Sequence, residues 1–413
     1  MGKILLKNFR IVDADTDFLG SLFIENDIIK KIDNDTNNVP DADITIDGRG
    51  FGSSAAIMPA FIDLHAHFRE PGFPHKETLF PSETLESAAL AAVAGGYATV
   101  VCMANTNPVT DTAEKARALK ARSDALGLIN LHPVLSLTKN MEGRELSEIK
   151  NLSIKELSAA GVLMLSEDGK DVEDDDLFIA AMEAAKRLGV AISCHCDLGG
   201  ENDATRRAVE LGKKAGGHIH IAHVSTKEAA DFIRLTKQSL PANGGFTLTC
   251  EATPHHIGAT EADARRMGDK SFGRVNPSLR SEADRQAIIA ALHDGTIDAI
   301  ATDHAPHSEA DKAAGAPGFT GLETAFAVCH SHLADADLRR LSALMSANPA
   351  RILGLQDRGR IAEGLRADIV IVDTEAMWKV APEQFKSRGK CSPFAGKELR
   401  GKVLMTLNGG KIV

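Results

Sequence analysis

His65-Ala66-His67 follows the run Phe61-Ile62-Asp63-Leu64. Residues two apart in a strand face the same side. Both imidazoles therefore point one way, an arrangement that suits a divalent metal. Later apolar runs end in side chains of the same kind. The run 190–194 leads into His195, 219–222 into His223 and 299–302 into Asp303. The run 163–165 leads into Ser166-Glu167-Asp168-Gly169, which offers carboxylates at a fifth strand end. Four histidines and these carboxylates converging on one rim describe a metal centre better than a set of surface polar groups. Nitrogen and carboxylate ligands without thiolate favour zinc, with manganese or cobalt as substitutes. Cys194 and Cys196 flank His195 but face the other side of the strand, where packing is the expected role. His255-His256 follow Thr253-Pro254 in an expected loop and read as supporting residues. His304 is expected to point away from the metal. His132, His218, His220, His293, His330 and His332 have no converging partner in the sequence and read as ordinary histidines.

The elements that must position these residues alternate along the middle of the chain. Expected strands at 98–103, 131–137, 162–166, 190–194, 219–223, 246–251 and 299–302 are interleaved with amphipathic helices such as 85–94, 177–188 and 227–236. Such alternation means βα units and a parallel sheet. At least eight units fit a closed (β/α)8 TIM-like barrel, in which chemistry sits at the C-terminal strand ends. The two ends of the chain differ. Strands at 3–12, 21–25 and 28–32, the last two joined by an Asn26-Asp27 turn, open it. Strands at 367–373, 402–408 and 411–413 close it, the last pair joined by Gly409-Gly410. The expected class is therefore α/β: a barrel over 55–355 and a small β-sandwich domain built from 1–54 and 356–413.

Composition excludes several roles. The chain has 413 residues, 47 basic and 57 acidic, and a net charge of −10. An acidic balance without a long basic run argues against nucleic acid. No apolar stretch approaches the ~20 residues that span a bilayer. The N-terminus lacks a secretory h-region, and Met1-Gly2 lacks the Ser/Thr of a myristoylation signal. Six scattered cysteines in a chain of this size read as reduced thiols, so a cytoplasmic location is expected.

Several stretches carry a resemblance that covers nearly the whole chain. They are PAFIDLHAHFREPG (59–72), KETL (76–79), AGGYATVVCMANTNPV (94–109), SEDG (166–169), HIAHVSTKE (220–228), EATPHH (251–256), NPSLR (276–280), ATDHAPH (301–307) and PGFTGLETAF (317–326). Together they resemble the class I dihydroorotases of the amidohydrolase superfamily. The resemblance implies that His65, His67 and Asp303 bind one metal and His195 and His223 a second. Asp168 is the implied bridging carboxylate, where other amidohydrolases use a carboxylated lysine; Lys170 is the nearest lysine. One or two Zn2+ are implied, two being favoured. His67, Arg69, Asn105, Asn276, His307, Pro317 and Gly318 are the implied substrate contacts. A guanidinium fork and amide groups suit a substrate with a carboxylate and a ring imide. The implied reaction is the reversible, zinc-dependent cyclisation of N-carbamoyl-L-aspartate to (S)-dihydroorotate plus water, in pyrimidine biosynthesis. Asp303 is its implied acid–base, taking a proton from the attacking water and returning it to the ring nitrogen. A homodimer and an aspartate transcarbamoylase partner are also implied.

Two other readings stand beside this one. A hydantoinase or allantoinase would act on a related cyclic amide, but Arg69, Asn105 and Asn276 and the absence of a bridging lysine argue against it. A noncatalytic homologue partnering aspartate transcarbamoylase would be expected to have lost metal ligands, and all six candidates are present. The chain departs from the family pattern in three places. Only 27 residues separate His195 from His223, which suggests a trimmed loop and helix. SEDG carries Glu167 in the first acidic position, and MANTNP carries Ala104 where proline is usual.

Overall fold

The computed structural model describes residues 2–34, 41–72, 82–241, 244–333 and 337–413. The stretch KETL (76–79) lies outside the described residues. Eight parallel strands form the centre: β1 (Phe61–Ala66), β2 (Tyr97–Cys102), β3 (Asn130–Pro133), β4 (Met164–Ser166), β5 (Ala191–Cys194), β6 (Gly217–Ile221), β7 (Phe246–Ala252) and β8 (Ala299–Ile300). They pair in chain order as β1–β2–β3 and β4 to β8. Two bridges close the seams. Leu135 pairs with Leu165, with Ser166 N–H donating to the Leu135 carbonyl at 3.1 Å. Ala66 pairs with His304, with His67 N–H donating to the His304 carbonyl at 2.8 Å. The result is the expected closed barrel. Its second seam brings the first and last stretches of candidate ligands side by side.

Helices follow the strands and bury apolar faces against them. Asp175–Leu188 buries Phe178, Ala181, Met182, Ala185 and Leu188, positions spaced as one helical stripe. Gly189 ends this helix in a left-handed conformation (φ 75°), as a C-terminal cap requires. The helix Glu201–Ala215 lies between His195 and His223, so the short spacing there has not removed the helix of that unit. Strand ends are shorter than the apolar runs suggested. β8 stops at Ile300 because Thr302 turns its N–H and hydroxyl onto Asp63, at 2.9 and 2.5 Å, instead of extending the ladder.

Both chain ends build one eight-stranded sheet from Lys3–Val12, Asp17–Glu25, Ile28–Asp33, Ile44–Asp47, Ala55–Pro59, Ile369–Lys379, Glu398–Asn408 and Lys411–Ile412. Its core joins Ile4, Leu6, Phe9 and Ile11 to Ile369, Ile371 and Leu407. The inward positions change parity between Leu6 and Phe9. A register shift there, with Asn8 at φ 60°, absorbs one residue and keeps the apolar side inward. Ala55–Pro59, which the sequence assigned to the barrel, is paired between Lys3–Val12 and Ile369–Lys379 and so belongs to this sheet. No helix among the described residues is long and apolar enough to cross a membrane.

Candidate metal centre

The six candidate ligands meet at the C-terminal rim of the barrel, and all are buried. His65 Nε2 lies 3.0 Å from Asp168 Oδ1 and 3.7 Å from Asp303 Oδ1. His67 Nε2 lies 3.1 Å from Asp303 Oδ1 and 3.5 Å from Asp168 Oδ2. His195 Nδ1 lies 3.3 Å from Asp168 Oδ1 and 3.0 Å from His223 Nε2. His65, His67 and Asp303 form one group able to hold a metal, and His65, Asp168 and His223 another, with the ligand atoms of each within 4.8 Å of one another.

The hydrogen-bond partners determine which ring nitrogens carry protons. Glu251 is fully buried, and its Oε1 accepts from His65 Nδ1 at 3.1 Å. The Nε2 of a neutral His65 is therefore a lone pair, and it faces another acceptor, Asp168 Oδ1. Neither atom has a hydrogen-bond partner. The same deduction applies to His67. Asn105 donates its amide to Asp168 Oδ2 at 3.0 Å, which leaves its Oδ1 to accept from His67 Nδ1 at 3.0 Å. His67 Nε2 then presents a lone pair to Asp303 Oδ1. A cation satisfies each of these buried contacts: a metal ion suits both, and a proton on His65 would let its Nε2–H donate to Asp168 Oδ1.

Burial opposes charge on His65, but Asp168, Glu251 and Asp303 outweigh it and push its pKa well above the usual imidazole range. Burial also opposes ionisation of Asp168 and Asp303, yet the surrounding imidazoles hold both below the usual carboxylate range. Desolvation, with His195 and His65 alongside, pushes His223 down to about 3. The rim thus draws positive charge while keeping His223 and both carboxylates unprotonated at neutral pH. Backbone strain gathers here as well. Arg69 (φ 58°), Asn140 (52°), Met141 (54°), His223 (34°) and Asp303 (44°) all have left-handed backbone without being glycine. Such conformations cost roughly 1–3 kcal/mol each and persist where surrounding structure imposes them.

A cavity of about 480 Å³ opens onto four of the candidate ligands, His67, Asp168, His195 and Asp303, and is lined also by Arg69, Asn105, Asn276, His307 and the 315–318 segment. Arg69 donates from Nε to the Pro306 carbonyl at 3.4 Å, and its Nη2 lies 3.3 Å from His307 Nε2. Burial lowers the Arg69 pKa to about 10, which leaves it charged at neutral pH. Glu70 does not pair with Arg69; it binds Arg122 and accepts from Leu85 N–H at 2.7 Å. His307 Nε2 donates to the Pro317 carbonyl at 2.8 Å. Asn276 Nδ2 lies 3.0 Å from His195 Nε2 and 3.1 Å from Asp197 Oδ2.

Lys170 donates to the Met141 carbonyl at 2.8 Å and lines the cavity without entering the ligand cluster. His304 turns away from the centre, its Nδ1 accepting from Gly321 N–H at 3.1 Å. Cys194 and Cys196 pack in the main apolar core. His255 and His256 lie in a short helix, Pro254–Gly258, rather than a loop, because Thr253 caps it and then Pro254 starts it. Sequence reasoning missed Glu251 and misjudged His220. His220 donates from Nε2 to Glu251 Oε2 at 2.9 Å, and Thr249 Oγ1 meets both His220 Nδ1 and His218 Nε2 at 2.8 Å. The signal for this chain was present: His218, His220, Thr249 and Glu251 alternate on neighbouring strands.

Comparisons with known proteins agree with this architecture. A model of the amidohydrolase family matches residues 56–413. A dihydroorotase from Clostridium botulinum is 38% identical over 99% of both chains. A dihydroorotase from Aquifex aeolicus is 35% identical over 100% of this chain and 99% of its own. Among solved structures, the L-hydantoinase (dihydropyrimidinase) from Arthrobacter aurescens superposes with a TM-score of 0.86 at 24% identity, covering 100% of this chain and 96% of its own. The dihydropyrimidinase from Brevibacillus agri does so at 0.82 and 20% identity, over 100% and 95%. At that identity the structural likeness concerns the fold.

Proposed function

This chain belongs to the amidohydrolase family and to its dihydroorotases, and on that premise we propose that it interconverts N-carbamoyl-L-aspartate and (S)-dihydroorotate. The observation that carries the reading is the pair of buried imidazole–carboxylate contacts, His65–Asp168 and His67–Asp303, beside a cavity that holds the Arg69 guanidinium. His65, His67 and Asp303 would hold one metal, and His195, His223 and Asp168 would serve a second. Donors of this kind suit zinc. The chemistry such a metal supplies when bound is polarisation of a carbonyl and a water of lowered pKa.

The remaining work falls to the chain itself. Arg69 presents a fork to the substrate carboxylate, with Asn105, Asn276, His307 and the Pro317–Gly318 backbone around the ring imide. His67 belongs to the candidate ligand group and also lines the cavity, so it would touch both metal and substrate. Asp303, ionised at neutral pH, accepts a proton as water adds to the ring carbonyl. It returns that proton to the ring nitrogen as the carbon–nitrogen bond breaks. In reverse, the carbamoyl nitrogen closes on the side-chain carboxyl and water leaves. The protein works as a cytoplasmic homodimer in pyrimidine biosynthesis, with aspartate transcarbamoylase as a candidate partner.

Metal analysis coupled to parallel assays on dihydroorotate, hydantoin and allantoin tests the reading. Two metals per chain and a preference for dihydroorotate are expected. Faster turnover of hydantoin would replace this substrate assignment. A protein that binds no metal and stays inactive after zinc or manganese is added would be a noncatalytic homologue.

A further inference from the structure

The functional reading leaves Lys312 without a role, although its side chain is one of the largest fully buried in the molecule. Its ammonium donates to three backbone carbonyls: Arg274 at 2.7 Å, Ala316 at 2.8 Å and Gly318 at 2.9 Å. That uses all three protons an ammonium can donate. The Phe319 ring lies 5.2 Å from the same nitrogen.

These acceptors belong to the two segments that build the substrate side of the cavity. Arg274 lies two residues before Asn276. Ala316 and Gly318 flank Pro317, whose own carbonyl accepts from His307. Carbonyls along 316–318 therefore alternate, two to Lys312 and the one between them to the His307 imidazole. The two segments also meet directly, through Gly318 N–H to the Arg274 carbonyl at 3.0 Å and Arg274 Nη1 to the Gly315 carbonyl at 2.9 Å. Gly318 has φ 138°, and a Cβ there would sit 2.5 Å from the Ala305 carbonyl, so the segment lies flush against the rim. Burying an ammonium is costly unless every donor is used. An apolar side chain of similar length would fill the space without that cost, so what the charge adds is fixed geometry for three carbonyls.

We propose that Lys312 is a positioning residue for substrate: it locks the 274–276 and 315–318 segments together and through Pro317 sets the orientation of His307. This rests on the reading of the cavity as the dihydroorotate site.

Two variants test it. Lys312→Met removes the three donors. KM for dihydroorotate should rise about tenfold or more, since small displacements of positioning groups carry effects of that size. kcat and bound metal should stay near the wild-type values. Lys312→Arg keeps the charge but cannot place its donors on the same three carbonyls, so its KM should rise too. A wild-type KM in either variant, or parallel loss of metal and kcat, overturns the proposal. Hydrogen exchange is the readout that does not depend on the substrate. In Lys312→Arg, amides at Gly315, Ala316 and Gly318 should exchange faster while those of β4 to β7 do not change. Unchanged exchange at 315–318 overturns the proposal. Wild-type protein without turnover of dihydroorotate sinks the functional reading alone, and the exchange result still decides the role of Lys312.

Discussion

Histidines occupy two levels of the same barrel and behave in opposite ways. At the rim, His65 and His67 turn lone pairs toward carboxylates, and His195 and His223 crowd each other at 3.0 Å. Deeper in the strands, each ring finds a complementary partner. His218 and His220 meet Thr249, His220 continues to Glu251, and His132 Nδ1 donates to the Gly161 carbonyl at 2.9 Å. The residue type is the same at both levels; the partners differ. A complementary ring is structural, whereas a ring facing a carboxylate draws a positive charge, a proton or a metal ion. Glu251 joins the levels, accepting from His65 above and His220 below, and so carries the orientation of the interior to the rim.

Breaking the rim should produce the largest effect. Asp303→Asn keeps the side-chain shape but removes the proton acceptor, so kcat should fall about 10²–10⁴-fold, the usual contribution of general acid–base catalysis. Thermal unfolding should show that the fold survives. Near-normal turnover would remove Asp303 from its assigned role. The link between the levels comes next. Glu251→Gln cannot accept from both imidazoles, and metal affinity should fall roughly 10–100-fold, as for other outer partners of metal-binding histidines. Competition with a chelator measures this; unchanged affinity would show that Glu251 does not orient His65.

Interior histidines should affect stability alone. Burial pushes the His132 pKa down to about 4 from its ordinary 6.5. The native state thus favours the neutral ring, while the unfolded chain protonates it below about pH 6.5. Its contribution is complete above that pH and is lost as pH falls toward 4, up to about 3 kcal/mol in all. His132→Gln should flatten this part of the stability profile, with metal binding unchanged at neutral pH. An identical acid limb would contradict the assignment. The smallest effect belongs to His293, exposed in the last turn of the helix Glu282–Asp294. His293→Ala should change stability by no more than about 0.5 kcal/mol and leave activity alone.

Much of this was legible in the residue order. The alternation of strand and helix predicted the barrel, because buried parallel strands and their covering helices carry different periodicities. Ligand candidates stood out because a polar residue at the end of an apolar run is locally anomalous. Helix Leu85–Ala94 matched its expected bounds. Less visible were the places where polar groups leave the ladder, such as Thr302 folding onto Asp63 across 239 positions. Ala55–Pro59 was misassigned for a related reason: a short apolar strand does not indicate which sheet it will join.

By itself, the sequence determined the inventory and its placement: which residues could ligate, that they stand at strand ends, and that the chain closes into a barrel with both termini in a satellite sheet. Only the tertiary structure decided which partners those residues meet. His65 and Glu251 are 186 positions apart, and their contact determines which nitrogen of His65 carries a proton. Lys312 carries no signal in the residue order, and only the fold buries it among three carbonyls. The physical reason is the same in both cases. Spacing along the chain reports which face a side chain takes, but the direction of a hydrogen bond depends on the atom opposite it, and barrel closure alone supplies that atom.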